Sequence, residues 1–334
     1  MSRSGKLFRG LTLAAIIVIF SGFKAAAQVK DQFTPHGNPM ALIFTDVNYT
    51  FNKAGDSKAF EILRAYLGYE YHLSNKLYSR ITFDVADPGT GGLQMTALLK
   101  FAYLQYNSDK LTARFGMIPT QQFTLVENIW GYRYIAKTFQ DAYRFGPSAD
   151  LGAAVEYSPV QFVTFDMSVL NGEGFKKVQI DSTFKTTFGV TIKPAKGLSL
   201  RVYYDIMNNN YAQTSTSFFA GYAINKFRAG FEYNIQKNNE MKDGHDQSGF
   251  SLFSSLALAE KFTVFARYDY LKSGIPDNAT EPWNKSKDGQ VFLAGFDYNP
   301  VKGVKIAPTL WGYSPYDKSL NFSTRLGLYF ELRF

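Results

Sequence analysis

Residues 321–334 read NFSTRLGLYFELRF. Phe322, Thr324, Leu326, Leu328, Phe330, Leu332 and Phe334 fall on one face of an extended chain, against Arg325, Gly327, Tyr329, Glu331 and Arg333 on the other. Side chains alternate across a strand with a period of two, so the stretch predicts a strand with one apolar and one polar face. Left as an open edge in water, a strand this long and apolar would template aggregation. A closed membrane barrel removes the edge and covers the apolar face with lipid.

The same alternation recurs upstream. Leu63, Ala65, Leu67, Tyr69 and Tyr71 oppose Arg64, Tyr66, Gly68 and Glu70; Phe227, Ala229, Phe231, Tyr233 and Ile235 oppose Arg228, Gly230, Glu232 and Asn234. Sixteen such segments are legible, near 41–51, 60–73, 77–86, 96–106, 111–117, 148–157, 161–170, 184–193, 197–207, 215–225, 227–236, 248–259, 262–272, 289–299, 303–313 and 321–334. Their connections alternate between short and long, the long ones being 52–59, 87–95, 118–147, 171–183, 208–214, 237–247, 273–288 and 314–320. Bacterial outer-membrane barrels have this asymmetry, with short periplasmic turns, long external loops and an even strand count. A soluble sandwich has no reason to gather its long loops on one side. The expected fold is an all-β, transmembrane, antiparallel up-and-down barrel over 41–334, with about sixteen strands and both termini periplasmic. Leu67, Phe101, Phe165, Phe231, Val264 and Leu328 are expected to face lipid.

The N-terminus predicts an export signal over 1–27: Arg3, Lys6 and Arg9, then an apolar run from Leu11 to Phe20, then Ala25-Ala26-Ala27. Residues 28–40 are expected to be a tail. Removing the signal, with four bases and no acid, takes the formal net charge from +8 to +4. The remaining Lys and Arg are evenly spread, whereas nucleic-acid binding requires a clustered basic face, so no nucleic-acid partner is expected. With no Cys, stability must come from packing and hydrogen bonds alone.

Little here points to catalysis or to a cofactor. The three histidines, His36, His72 and His245, are expected to lie far apart, with no metal-ligand spacing, and no Gly-x-Ser-x-Gly elbow occurs. Asp87-Pro88-Gly89-Thr90-Gly91-Gly92 lacks the Lys-Ser/Thr ending of a phosphate loop and reads as an external loop. Asp243-Gly244-His245-Asp246 reads as a solvated turn before it reads as a calcium site.

Residues 118–147 stand out as the third long connection. Phe123, Val126, Trp130 and Tyr134, then Ile135, Phe139 and Tyr143, recur at spacings of three or four, which predicts a partly helical segment. A loop in water has little use for these rings. Folded into the barrel, it would press them on the inner wall while Glu127, Arg133, Lys137, Asp141 and Arg144 face water.

Sixteen strands, a long third external loop and a terminal Phe resemble the Gram-negative outer-membrane porins, with a layout most similar to the phosphate-selective porin O and P type. The resemblance spans about residues 40–334. It implies a water-filled channel for passive diffusion of small hydrophilic solutes and ions, assembly as a homotrimer, and arginines leading anions through the lumen. Partners would be outer-membrane lipid, the barrel-assembly machinery and the solutes or anions themselves, with no cofactor. On the inward faces stand Arg64, Arg80, Lys100, Arg114, Lys185, Arg201, Arg228, Arg267 and Arg325, and Asp84, Asp166, Asp205, Glu232 and Asp269 share those faces. With neither sign dominant, a mild anion preference is expected. The alternative is a non-channel barrel, an adhesin or an assembly component, with a plugged interior.

Overall fold

The computed structural model describes residues 33–87 and 95–334. The expected signal, residues 28–32 of the expected tail and residues 88–94 of the 87–95 connection lie outside the described residues. The unit His36–Phe334 consists of sixteen strands. They are β1 His36–Asn52, β2 Ser57–His72, β3 Leu77–Ala86, β4 Thr96–Asn107, β5 Leu111–Pro119, β6 Ala149–Val160, β7 Val163–Leu170 and β8 Lys185–Ala195. There follow β9 Leu198–Asn208, β10 Ala212–Ile224, β11 Phe227–Lys237, β12 Gln247–Ala259, β13 Phe262–Ser273, β14 Gly289–Tyr298, β15 Val304–Pro315 and β16 Ser323–Arg333. Each pairs antiparallel with its sequence neighbours, and β1 closes on β16 from Leu42 opposite Arg333 to Asn52 opposite Ser323. The barrel thus leaves no open edge.

The burial pattern is inverted relative to a water-soluble sheet. Large apolar side chains point outward and stay exposed, among them Leu67, Phe165, Phe231, Val264 and Leu252, while Thr82, Asp84, Asp205, Glu232, Asn234 and Ser251 point inward and are buried. An exterior of this kind is stable against lipid, where closure satisfies every backbone group between strands. An outer concavity of about 960 Å³ lies among Tyr49, Phe60, Phe296 and Leu326 and is a gap between such side chains.

Two bulges revise the assignment of faces. Thr82 pairs with Phe101 and Phe83 with Leu99, so Lys100 is an extra residue in β4. A bulge places two consecutive side chains on one side, and both Lys100 and Phe101 line the lumen; Phe101 does not face lipid. In β2, Phe44 pairs with Arg64 and Thr45 with Ile62, which makes Leu63 the extra residue. Leu63 packs on the interior cluster beside inward Arg64, and not on the outer face.

Strand ends differ in three other places. β1 starts at His36, before the boundary expected at 41, and runs against all of β2. That extension brings His36 opposite His72 with their rings stacked at 5.0 Å, so these two histidines are neighbours and not far apart. The connections 53–56 and 209–211 are short because their flanking strands run on. The other rim keeps only tight links, from 73–76 through 299–303, and the start of β1 and the end of β16 lie there with them.

Candidate permeation path

Between β5 and β6 the chain leaves the wall and crosses the barrel. It forms helix α1, Gln121–Trp130, and a single turn α2, Phe139–Ala142. Phe123, Val126, Ile129 and Trp130 make the buried stripe of α1, as the three-and-four spacing requires. Gly131 ends it in the left-handed conformation, φ 74°, with its N–H donating to Glu127 O at 2.9 Å.

The aromatics of this segment form the protein's main interior cluster with the inner faces of β10 and of β12 through β2. Trp130 meets Phe253 and Phe265 edge-on at 5.3 and 6.3 Å, and Tyr132 lies 4.7 Å from Phe265. Tyr134 contacts Phe44 of β1 at 6.3 Å. Gly249 leaves room for Phe139, whose Cζ would lie 2.5 Å from a Cβ at that position. Aromatic contacts of this type are worth roughly 0.5–1.5 kcal/mol each beyond area burial.

Polar contacts fix the register of the segment. Irregular backbone inside a barrel must find donors for its carbonyls, and the wall supplies them: Arg201 Nη2 donates to Gln121 O at 3.2 Å, Arg267 Nη1 to Lys137 O at 2.5 Å and Gln236 Nε2 to Phe145 O at 2.9 Å. In return Tyr134 Oη donates to Asp297 at 2.7 Å, and Gln140 Nε2 to Ser217 and Glu232 at 3.1 Å each. The loop therefore fills the side of the lumen nearest β10–β16. What remains open is a cavity of about 540 Å³ between α1 and the wall from β1 to β9.

The charged residues expected at the pore divide into three groups. Arg80, Lys100, Arg114, Glu127, Arg133 and Arg201 line the open cavity. Others are inward but held away from it. Arg64 turns to Asp84 at 2.9 Å, Lys185 to Asp205 at 3.1 Å, and Arg267 grips Asp269 at 2.7 Å while lying 5.2 Å over the Trp130 ring. Arg325 donates to Thr50 Oγ1 at 3.0 Å. Arg228 stands beside Gly131, and Arg144 is exposed with φ 60°. Of Arg64, Arg80, Lys100 and Arg114, the inward bases on the consecutive strands β2 to β5, Arg64 is thus held away from the cavity by its partner. The third group is the loop's own cluster. Arg133 binds Glu127 at 3.2 Å and Asp141 at 2.6 Å, and Lys137 binds Asp141 at 3.5 Å. Asp141 is therefore neutralised within the loop and does not line the open cavity.

Asp166, expected on an inward face, lines the cavity paired with Arg201 at 2.5 Å, and Glu156 lines it paired with Arg114, whereas Lys193 lines it without having been singled out from the sequence. Lys193 shares strand parity with Lys185, a signal already present in the pattern. The turn 243–246 also has its own internal use: Asp246 accepts from Lys237 at 2.6 Å and from the Asn238 N–H at 3.0 Å.

Burial raises the Asp141 carboxyl, but Arg133 and Lys137 outweigh it and hold the group below its ordinary range. A depressed carboxylate contributes stability that is present above the unfolded value, about pH 4, and is lost as pH falls through the lower folded value. The cluster should therefore stay intact down to about pH 4 and weaken only in stronger acid. Asp141→Asn should reproduce the acid behaviour at neutral pH, seen as a rise in open-channel current noise. Equal noise in both proteins would mean that the cluster does not steady the loop.

No protein-family model matches the chain, and no curated protein matches it. Solved structures do. OmpF of Salmonella typhi, in complex with daunomycin, is 12% identical with a TM-score of 0.66, over 89% of this chain and 97% of that one. The outer membrane channel DcaP of Acinetobacter baumannii is 11% identical at 0.65, over 92% and 100%. An anion-selective porin from Comamonas acidovorans is 11% identical at 0.63, over 90% and 100%. At these identities the likeness establishes the sixteen-strand barrel architecture.

Proposed function

We propose that the chain is an outer-membrane porin, a water-filled channel through which small hydrophilic solutes and ions diffuse passively, with a mild preference for anions. The observation that carries this reading is the cavity beside α1: charged side chains line it inside a closed barrel whose outer face is apolar. Sixteen strands are wide enough for an aqueous channel, and a loop that fills one side narrows it without sealing it. The membrane would be the outer membrane of a Gram-negative cell, entered after removal of residues 1–27, with the short-turn rim periplasmic. A homotrimer and delivery by the barrel-assembly machinery belong to the same proposal.

The sign of the selectivity follows from the lining. Arg80, Lys100, Arg114, Arg133, Lys193 and Arg201 outnumber Glu127, Glu156 and Asp166 by six to three. Most of these bases are nevertheless paired, so the excess is small, and screening over about 8 Å at physiological salt confines it to the narrow section. Strict phosphate selectivity, the finer expectation from the O and P type layout, needs unpaired cations that this wall does not offer at Arg64, Arg201 and Arg267. Purified protein in planar bilayers should give discrete conductance steps, and reversal potentials in a KCl gradient should favour chloride severalfold. Arg80→Gln with Arg114→Gln should move the preference toward potassium. An unchanged reversal potential would remove these arginines from the ion path. The rival reading, a plugged barrel acting as an adhesin or assembly component, is favoured by how much lumen the loop occupies. It predicts no conductance at all.

A further inference from the structure

We infer that the open half of the lumen recognises small organic anions with a flat apolar body, aryl carboxylates being the simplest, through the β4 bulge at Lys100 and Phe101 together with Arg80; the inference rests on the channel reading above. A bulge forfeits ladder pairing and is kept where it re-aims a side chain. Here two bulges, in β2 and β4, flank Asp84 of β3. Each turns an apolar residue and a cation inward side by side, Leu63 with Arg64 and Phe101 with Lys100. Asp84 answers both cations, at 2.9 Å to Arg64 and 4.0 Å to Lys100.

The Phe101 ring stands on the lumen wall with the Arg80 guanidinium 4.8 Å from its centroid and Lys100 Nζ at 5.5 Å. Cations held over a ring face are attracted by its quadrupole. Arg80 already donates to Thr82 Oγ1 at 3.0 Å and stands 3.5 Å from Glu70, and Lys100 donates to Tyr66 Oη at 3.2 Å, so the remaining N–H groups of the two are the donors for an incoming carboxylate. Leu42 of β1 and Leu125 of α1 add apolar surface to the same cavity. A pore that passes only hydrated inorganic ions gains nothing from this surface, and an aqueous barrel interior is ordinarily polar. A carboxylate on an aromatic ring uses both halves: its charge meets Arg80 and Lys100, and its flat body lies against Phe101. Binding of this kind must stay weak enough to release the solute on the far side.

The test compares benzoate with acetate as blockers of chloride current through the purified full-length protein in planar bilayers. Benzoate should half-block at a concentration about three- to tenfold lower than acetate, the ratio expected from one aromatic contact. Phe101→Ala should bring benzoate to the acetate value while chloride conductance persists. Phe101→Leu, which keeps bulk without a ring, should also lose most of the difference, and heat-shifted mobility on SDS gels confirms that each variant is folded. Equal block by the two anions in the parent protein, or a preference that survives Phe101→Ala, overturns this inference and leaves the channel reading standing. Absence of chloride conductance overturns both.

Discussion

Deleting residues 130–139 should raise single-channel conductance while the barrel still assembles. The segment carries Trp130, Tyr132, Tyr134, Ile135 and Phe139, all buried against the inner wall, and its removal opens the side of the lumen nearest β10–β16. Conduction through an aqueous pore follows its narrowest section, so the increase should be roughly twofold or more. Assembly survives because the ladder between β5 and β6, from Leu111 opposite Tyr157 to Pro119 opposite Ala149, does not involve the deleted residues. The loss appears as stability instead: Phe219, Phe253 and Phe265 are left facing water, and the melting temperature falls. Trp130→Ala tests the same point more gently. It removes the Arg267 stack and three ring contacts, with Tyr132, Phe253 and Phe265, at a cost of about 3–5 kcal/mol if the site stays rigid. A conductance unchanged by the deletion would place the segment outside the ion path.

Phe115→Arg should destabilise the membrane-inserted protein by about 2–4 kcal/mol, the cost of an arginine on the lipid face near the bilayer midplane. Phe115 is the middle residue of β5, points outward and is 56% exposed. Its neighbour on the opposite face is already an arginine: Arg114, which pairs with Glu156 and Gln105 across the lumen wall. The comparison variant is Thr164→Arg on β7, a position that lines the cavity and should accept the charge at little cost. Urea unfolding from lipid vesicles measures both. Equal destabilisation at 115 and 164 would contradict the assignment of a lipid face and a water face, and with it the transmembrane reading.

Sequence patterning alone reached far into this molecule, because the determinant is local. A period of two follows from strand geometry at each residue, whatever lies across the sheet, so β3 appears at its observed bounds of 77–86 and β13 within one residue of its end. The helical spacing of Phe123, Val126 and Trp130 is local in the same way, and α1 is where it points. The β4 bulge was not legible. In Leu98-Leu99-Lys100-Phe101-Ala102-Tyr103-Leu104 both phases of the alternation carry apolar residues, so the pattern does not show where the phase flips. Pairing with Thr82 and Phe83 decides it.

The charged wall divides along the same line. That arginines and acids share the inward faces is a matter of parity, and the sequence determined it. Which of them meet is set by strand register and stagger, which bring Arg64 to Asp84, Lys185 to Asp205 and Arg201 to Asp166 across distances of about twenty to thirty-five residues. Those pairings hold Arg64 and Lys185 away from the cavity and leave Arg80, Lys100, Arg114, Lys193 and the Asp166-paired Arg201 along it. The path of the loop is likewise a tertiary decision. Its rings require an apolar partner, but only the closed barrel places Phe253, Phe265 and Leu293 together on one inner wall, and so determines which half of the lumen is filled and which stays open.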